Sequence, residues 1–159
     1  MNLECGNVII ELYPEISPKA VERFKTLIEK KMYDGSAFYK VVENTLVQAG
    51  DIEFGNIEYL DYSKIGSGKS GFGLLKSELS DDFEFTEGSI GFARSAEFDT
   101  EDSEFFITLK EIPIYQGEYT PIGKVKYGLD ILKKIKTGNK AIYVLRPDYI
   151  NTLRMLEIN

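Results

Sequence analysis

The chain has 159 residues, 43% hydrophobic and 28% charged, which suits one domain (residues 1–159) able to bury a core without metal or disulfide staples. Its formal charge of −7 argues against binding a nucleic-acid backbone, and its lack of any histidine removes Ser-His-Asp and Cys-His relays and histidine ligation of zinc. Cys5 is the single cysteine, so no internal bridge and no thiolate metal site can form, which fits a reducing compartment. No run of 18 or more apolar residues occurs, and Met1–Cys5 has neither the basic start nor the apolar core of a signal peptide. A cytoplasmic location away from membranes is the expectation.

Gly6 to Tyr13 (GNVIIELY) is a short β-branched run ended by Pro14. Ser17-Pro18 then offers an N-cap and a proline at the first helical position. Ala20, Val21, Phe24, Leu27 and Ile28 recur at three- and four-residue spacing, predicting a helix that buries one face and stops before Asp34-Gly35. Strand-like runs follow at Ala37–Val42, Leu46–Gln48, Ser89–Ala93, Glu104–Leu109 and Thr120–Val125. A second helix fits Leu129 to Lys136, with Leu129, Leu132 and Ile135 on one side and Gly138 as its stop. The tail Tyr149–Ile158 reads as a closing strand. Many short strands with two helices suggest a closed antiparallel barrel whose ends the helices cover, although periodicity alone leaves a sandwich with appended helices open.

Two blocks stand out. Phe38-Tyr39-Lys40-Val41-Val42-Glu43-Asn44-Thr45-Leu46-Val47-Gln48-Ala49-Gly50-Asp51 and Ser103-Glu104-Phe105-Phe106-Ile107-Thr108-Leu109 resemble the two signature blocks of cyclophilin-type peptidyl-prolyl isomerases. Val8–Pro14, Tyr33-Asp34-Gly35, Gly88–Ser95, Gly123-Lys124-Val125 and Arg146-Pro147-Asp148 are similar to the compact bacterial branch in order and spacing. The resemblance implies a mainly β fold, a closed eight-stranded antiparallel β-barrel capped by two α-helices. It also implies catalysis of X–Pro rotation in proline-containing peptides or unfolded segments, by a monomer and with no cofactor. That chemistry suits a chain without histidine, because it breaks no covalent bond and needs no proton relay.

Carried over by position, the resemblance puts Lys40 where the family has its catalytic arginine and Gln48 where a glutamine orients it. Leu46 and Phe106 match the floor and wall of the proline pocket, and Thr45 replaces a pocket phenylalanine. Tyr115 takes a leucine's place, Ile114 that of a tryptophan or other aromatic, and Tyr119 that of a histidine. Ala93 and Arg94 match the segment that pairs with the substrate backbone, and Glu104 replaces a glutamine. Lysine is a flexible, strongly hydrated point charge where arginine is a rigid fork. A Lys40–Glu104 ion pair would divert its charge. These departures point to weakened turnover, with a proline-binding module that has lost catalysis as the alternative.

Other motifs fail on inspection. Gly68-Lys69-Ser70 ends like a phosphate-binding loop, but Ser63 occupies the place of its first glycine, so a flexible surface loop is expected. Glu97–Asp102 has the charge of a calcium loop, but Glu104 and Lys110 stand where the turn glycine and closing glutamate belong, so a solvated acidic loop is expected. Lys133, Lys134 and Lys136 read as an exposed face.

Overall fold

The computed structural model describes residues 1–138 and 143–156. A hairpin of β1 (Asn2–Leu3) and β2 (Gly6–Asn7) precedes the main sheet. That sheet holds β3 (Ile9–Leu12), β4 (Lys40–Val42), β5 (Leu46–Ala49), β6 (Ser89–Phe92), β7 (Phe105–Thr108) and β8 (Pro121–Tyr127), all antiparallel, in the order β3-β8-β6-β7-β5-β4. The helices are α1 (Pro18–Glu29) and α2 (Leu129–Leu132), with a 3-10 turn at Pro113–Tyr115.

The mainly β, two-helix expectation holds, but the closed eight-stranded barrel does not. Six strands share the sheet, the other two pair with each other, and among the described residues β3 and β4 are left as its edges. The expected closing strand Tyr149–Ile158 makes only isolated bridges, Ala37 with Tyr149 and Asn2 with Thr152. Its partners there are an isolated bridge residue and a two-residue strand, and among the described residues no ladder extends from either; Ile158 lies outside the described residues.

Ser17 is the N-cap of α1 and Pro18 its first residue, as expected, but Ser17 makes no side-chain cap bond; the Glu78 carboxylate, from a distant loop, accepts the Ala20 N–H at 2.8 Å and the Lys19 N–H at 3.2 Å. A carboxylate there also faces the positive end of the helix dipole. α2 ends at Leu132, and the chain continues with i→i+3 bonds from Lys134 to Ile131 and from Ile135 to Leu132. Apolar residues spaced by three at 129, 132 and 135 align better on such a tight turn than on an α-helix.

Period-two alternation splits the sheet into two faces. Val41, Val47, Ala49, Ile90, Phe92, Phe105, Ile107 and Ile122 point into the main core beneath α1, with Phe24, Leu27 and Tyr33. Phe105 meets Phe24 and Tyr33 edge-on at 5.2 and 5.4 Å between centroids. Each such pair adds about 0.5–1.5 kcal/mol beyond area burial. The intervening residues face the other way and form a separate cluster around Leu46, Phe85 and Phe106. The expected site residues Leu46 and Phe106 belong to that outer face.

Replacing Glu78 with Ala should lower unfolding free energy by about 1 kcal/mol, the usual loss for a cap, while Ser17→Ala should lose less. Urea denaturation of both variants checks this; a larger loss for Ser17→Ala would return the cap to serine.

Candidate functional site

One row of cross-strand neighbours organises the site. Lys40 on β4 stands opposite Gln48 on β5, Gln48 opposite Phe106 on β7, and Phe106 opposite Gly91 on β6. Residues directly opposed in an antiparallel pair have Cβ atoms about 4.5–5.5 Å apart. The row therefore brings a cation, an amide and an aromatic ring side by side. Gly91 is required beneath the ring, since a Cβ there would lie 2.6 Å from Phe106 Cζ.

The apolar end is densely aromatic. Phe106 contacts Tyr119 at 5.2 Å, Tyr115 at 5.4 Å and Phe85 at 5.7 Å between centroids, and Tyr115 meets Tyr119 at 4.6 Å. Only 2% of Phe106 is exposed, and Leu46 beside it is buried. Tyr119 is held from outside by Arg94, whose guanidinium lies 4.9 Å from its ring and 4.2 Å from that of Phe98. Arg94 also donates to the Glu118 carbonyl at 3.1 Å and pairs with the Glu118 carboxylate at 3.3 Å. In this conformation the two tyrosines roof the ring, so a guest on Phe106 requires one of them to swing aside.

At the polar end, Gln48 Nε2 donates to the Tyr39 hydroxyl at 3.0 Å, and that hydroxyl donates to Glu104 in a short bond. The Lys40–Glu104 ion pair that would divert the cation does not form: Glu104 is turned to Tyr39, and among the described residues Lys40 has no side-chain bond or ion pair. Burial pushes the Glu104 carboxyl up to about 7, against the lowering effect of the Tyr39 bond, with Asp51 adding to the rise and Lys40 and Lys69 opposing it. A small cavity of 80 Å³ adjoins Glu104 and is lined also by Lys69, Ala93, Arg94, Thr100 and Ser103.

Thr45 and Ile114 are occupied elsewhere, while Ala93 packs against the Leu46–Phe106 cluster. Thr45 donates its hydroxyl to the Glu43 carbonyl within the β4–β5 turn. Ile114 is 78% exposed on the 3-10 turn. The Ala93 N–H is already bonded to the Glu104 carbonyl at 2.9 Å.

Carboxylates fasten the loops around this end, which corrects two expectations. Asp51 accepts the N–H groups of Phe54, Gly66 and Gly68, Glu53 that of Lys69, and Asp102 that of Ser70. The glycine-rich segment is pinned, and the N–H groups at 66, 68, 69 and 70 that could face a phosphate are taken. The acidic loop is not simply solvated either, since Glu101 and Asp102 are 1% and 5% exposed. Asp102 pairs with Arg23 of α1 at 2.9 Å. Gly50 has φ +98° and packs so tightly that a Cβ would lie 2.6 Å from the Ser103 carbonyl. Ser36 and Ser103 bond that glycine's N–H and carbonyl at 2.9 and 2.8 Å.

Sequence reasoning missed Tyr39, Phe83, Phe85 and Ile112. The Phe83-Glu84-Phe85 alternation carried a strand-like signal for two aromatics on one face. Tyr39 had none, because its role depends on a partner 65 residues away. A separate apolar cavity of 410 Å³ lies between β3, α1 and the tail at 153–156, and its lining contains none of the signature residues.

A carboxyl raised in the folded state binds its proton more tightly there than in the unfolded chain. Its contribution to stability is complete below the ordinary value of 4.5 and is lost as pH rises through about 7. Wild type should therefore lose stability relative to Glu104→Gln across that window and hold a constant difference above it. Chemical denaturation of both proteins at several pH values measures this; a pH-independent difference would contradict it.

Comparison with known proteins gives this arrangement its relatives. Residues 1–154 match the family model described as cyclophilin type peptidyl-prolyl cis-trans isomerase/CLD. A Brucella suis protein named as a probable peptidyl-prolyl cis-trans isomerase is 37% identical over 142 residues, 89% of this chain and 72% of its own. A Schizosaccharomyces pombe peptidyl-prolyl cis-trans isomerase is 31% identical over 139 residues, 85% and 82% of the two chains. Among solved structures, a Cryptosporidium parvum cyclophilin type isomerase determined in the presence of the dipeptide Ala-Pro aligns with TM-score 0.83 at 23% identity, covering 98% of this chain and 96% of that one. At that identity the likeness speaks for the fold alone. On the family match and the sequence identities, the chain belongs to the cyclophilin-type peptidyl-prolyl cis-trans isomerases.

Proposed function

We propose that this protein catalyses cis–trans rotation of X–Pro bonds in flexible or unfolded chains, assisting their folding, with weaker catalysis than relatives that carry arginine at Lys40's place. The observation that carries the reading is the row Lys40–Gln48–Phe106 on the outer face of the sheet. The reading takes the protein as a single monomeric domain over residues 1–159, working in the cytoplasm without a cofactor. The lone, exposed Cys5 fits a reducing compartment. Among the described residues, no helix is long and apolar enough to cross a membrane.

The barrier to X–Pro rotation is roughly 18–20 kcal/mol and is largely amide resonance. Only interactions stronger with the twisted bond than with either planar form accelerate it. Twisting localises a lone pair on the proline nitrogen, and the Lys40 ammonium, free of other side-chain partners among the described residues, donates there. Leu46, Phe106 and Tyr115 hold the ring, and Gln48 orients the cation. Thr45, Ala93, Arg94, Glu104, Ile114 and Tyr119 complete the surface that meets the flanking residues. A flexible ammonium is less preorganised than a guanidinium fork and loses more hydration on docking, hence the weaker catalysis.

The second reading, a proline-peptide binding module without turnover, is favoured by one observation: Phe106 is roofed by Tyr115 and Tyr119. A protease-coupled assay on a proline tetrapeptide separates the two. Wild type should accelerate the slow phase, Lys40→Ala should abolish most of that acceleration, and Lys40→Arg should raise kcat/KM about fivefold, roughly 1 kcal/mol in transition-state free energy. Peptide binding with no acceleration at any enzyme concentration would favour the binding module.

The cyclic peptide cyclosporin supplies a further test. At position 114 an exposed isoleucine offers no indole N–H and less contact area than tryptophan. Insensitivity is expected at concentrations that saturate tight-binding relatives; nanomolar binding by calorimetry would refute it.

A further inference from the structure

At the polar end of the row, Tyr39 bonds Gln48 on one side and Glu104 on the other. We infer that Tyr39 is a positioning residue: its hydroxyl, held between Glu104 and Gln48, sets which end of the Gln48 amide faces Lys40. The inference rests on reading the outer face as the isomerase groove.

The donor and acceptor inventory leaves few choices. An ionised Glu104 can only accept, so the single hydroxyl hydrogen of Tyr39 goes to it. The Tyr39 oxygen can then only accept from Gln48, and the amide must present its nitrogen. That leaves Gln48 Oε1 as the free acceptor, on the residue directly opposite Lys40 in the ladder. Gln48 is 8% exposed, so water has little access to substitute for either bond.

A proton on Glu104 allows the chain to reverse. When the protonated carboxyl donates to the Tyr39 oxygen, the Tyr39 hydrogen turns to Gln48, and the amide then offers its carbonyl to Tyr39. Its NH2 group takes the place of the free oxygen, so Gln48 no longer presents a free acceptor to the Lys40 ammonium. Burial places the Glu104 carboxyl where this exchange falls near neutrality. The charged groups around it are Asp51 just beyond β5, which favours the proton, Lys40 on β4 and Lys69 on the loop, which oppose it, and Arg94 and Asp102, which line the same small cavity. Tyr39 itself stays protonated throughout, since desolvation and Glu104 hold its hydroxyl far above its ordinary range.

The test follows kcat/KM on one proline peptide by exchange spectroscopy, without a coupling protease, from about pH 5.5 to 8.5. Wild type should rise about threefold to tenfold with a midpoint near 7, as expected when a groove group must lose its proton. Tyr39→Phe, which keeps the ring stacked on Tyr143, and Glu104→Gln, which cannot ionise, should both be flat. In parallel, the Gln48 side-chain amide resonances should shift with the same midpoint in wild type and stay still in Tyr39→Phe. A Tyr39→Phe variant that keeps the pH step, or Gln48 resonances that titrate identically without the hydroxyl, would overturn the inference. If no variant shows activity at any pH, the isomerase reading fails, and the Gln48 resonances still decide the role of Tyr39.

Discussion

The register between β5 and β7 is the constraint on which the site depends. Gln48 faces Phe106, Val47 faces Ile107 and Leu46 faces Thr108. Because side chains alternate with period two, a slip of one residue would send Phe106 into the core and Phe105 to the outer face. The register is secured by what each face requires. Phe105 is locked edge-on between Phe24 and Tyr33, and Phe106 fits over a position where no Cβ is tolerated. The same pairings that bury the core therefore place Lys40, Gln48 and Phe106 in one row, and stability and function share one set of backbone bonds.

Around that row, carboxylates act as loop fasteners. Asp51, Glu53, Glu78 and Asp102 each take backbone N–H groups from distant segments. Asp102 adds an ion pair to α1 in which both side chains are at most 10% exposed, so removing one partner would leave a buried charge uncompensated. Glu104 differs from the others because its recorded side-chain partner is a tyrosine hydroxyl. Burial is the main source of its raised proton affinity, and among the described residues no cation lies within ion-pairing distance to offset it.

Much of this was legible in the sequence. The alternation in residues 46–48 and 104–109 gave the strands, the spacing of Ala20 to Ile28 gave α1, and the two blocks gave the row itself. What the residues did not disclose were effects of long-range partners. Ser17 is the N-cap residue as read, but the side-chain acceptor for the first-turn N–H groups is Glu78, which arrives from a loop without periodicity. Glu101 and Asp102 look solvated in sequence but are buried, since Thr120 and Arg23 supply their partners. The sheet stays open because, among the described residues, a tail with strand-like residues makes only isolated bridges, to Ala37 and to the two-residue β1. At the site, a Lys40–Glu104 pair looked natural from charge alone, and Tyr39 intercepts the carboxylate. The roof over Phe106 was also hidden: Tyr115 and Tyr119 were legible as pocket residues, but their closure onto the ring is a matter of packing.

The central claim is that the outer-face row, and not the apolar cavity by β3 and the tail, is where a proline segment docks. Backbone chemical-shift mapping with a proline tetrapeptide tests it most directly. The account predicts perturbations at Lys40, Gln48, Ala93, Glu104, Phe106, Tyr115 and Tyr119, with broadening of the tyrosine ring signals as the roof opens. Perturbations confined to Ile9–Leu12, Phe24, Ile28 and Leu153–Leu156 would contradict it.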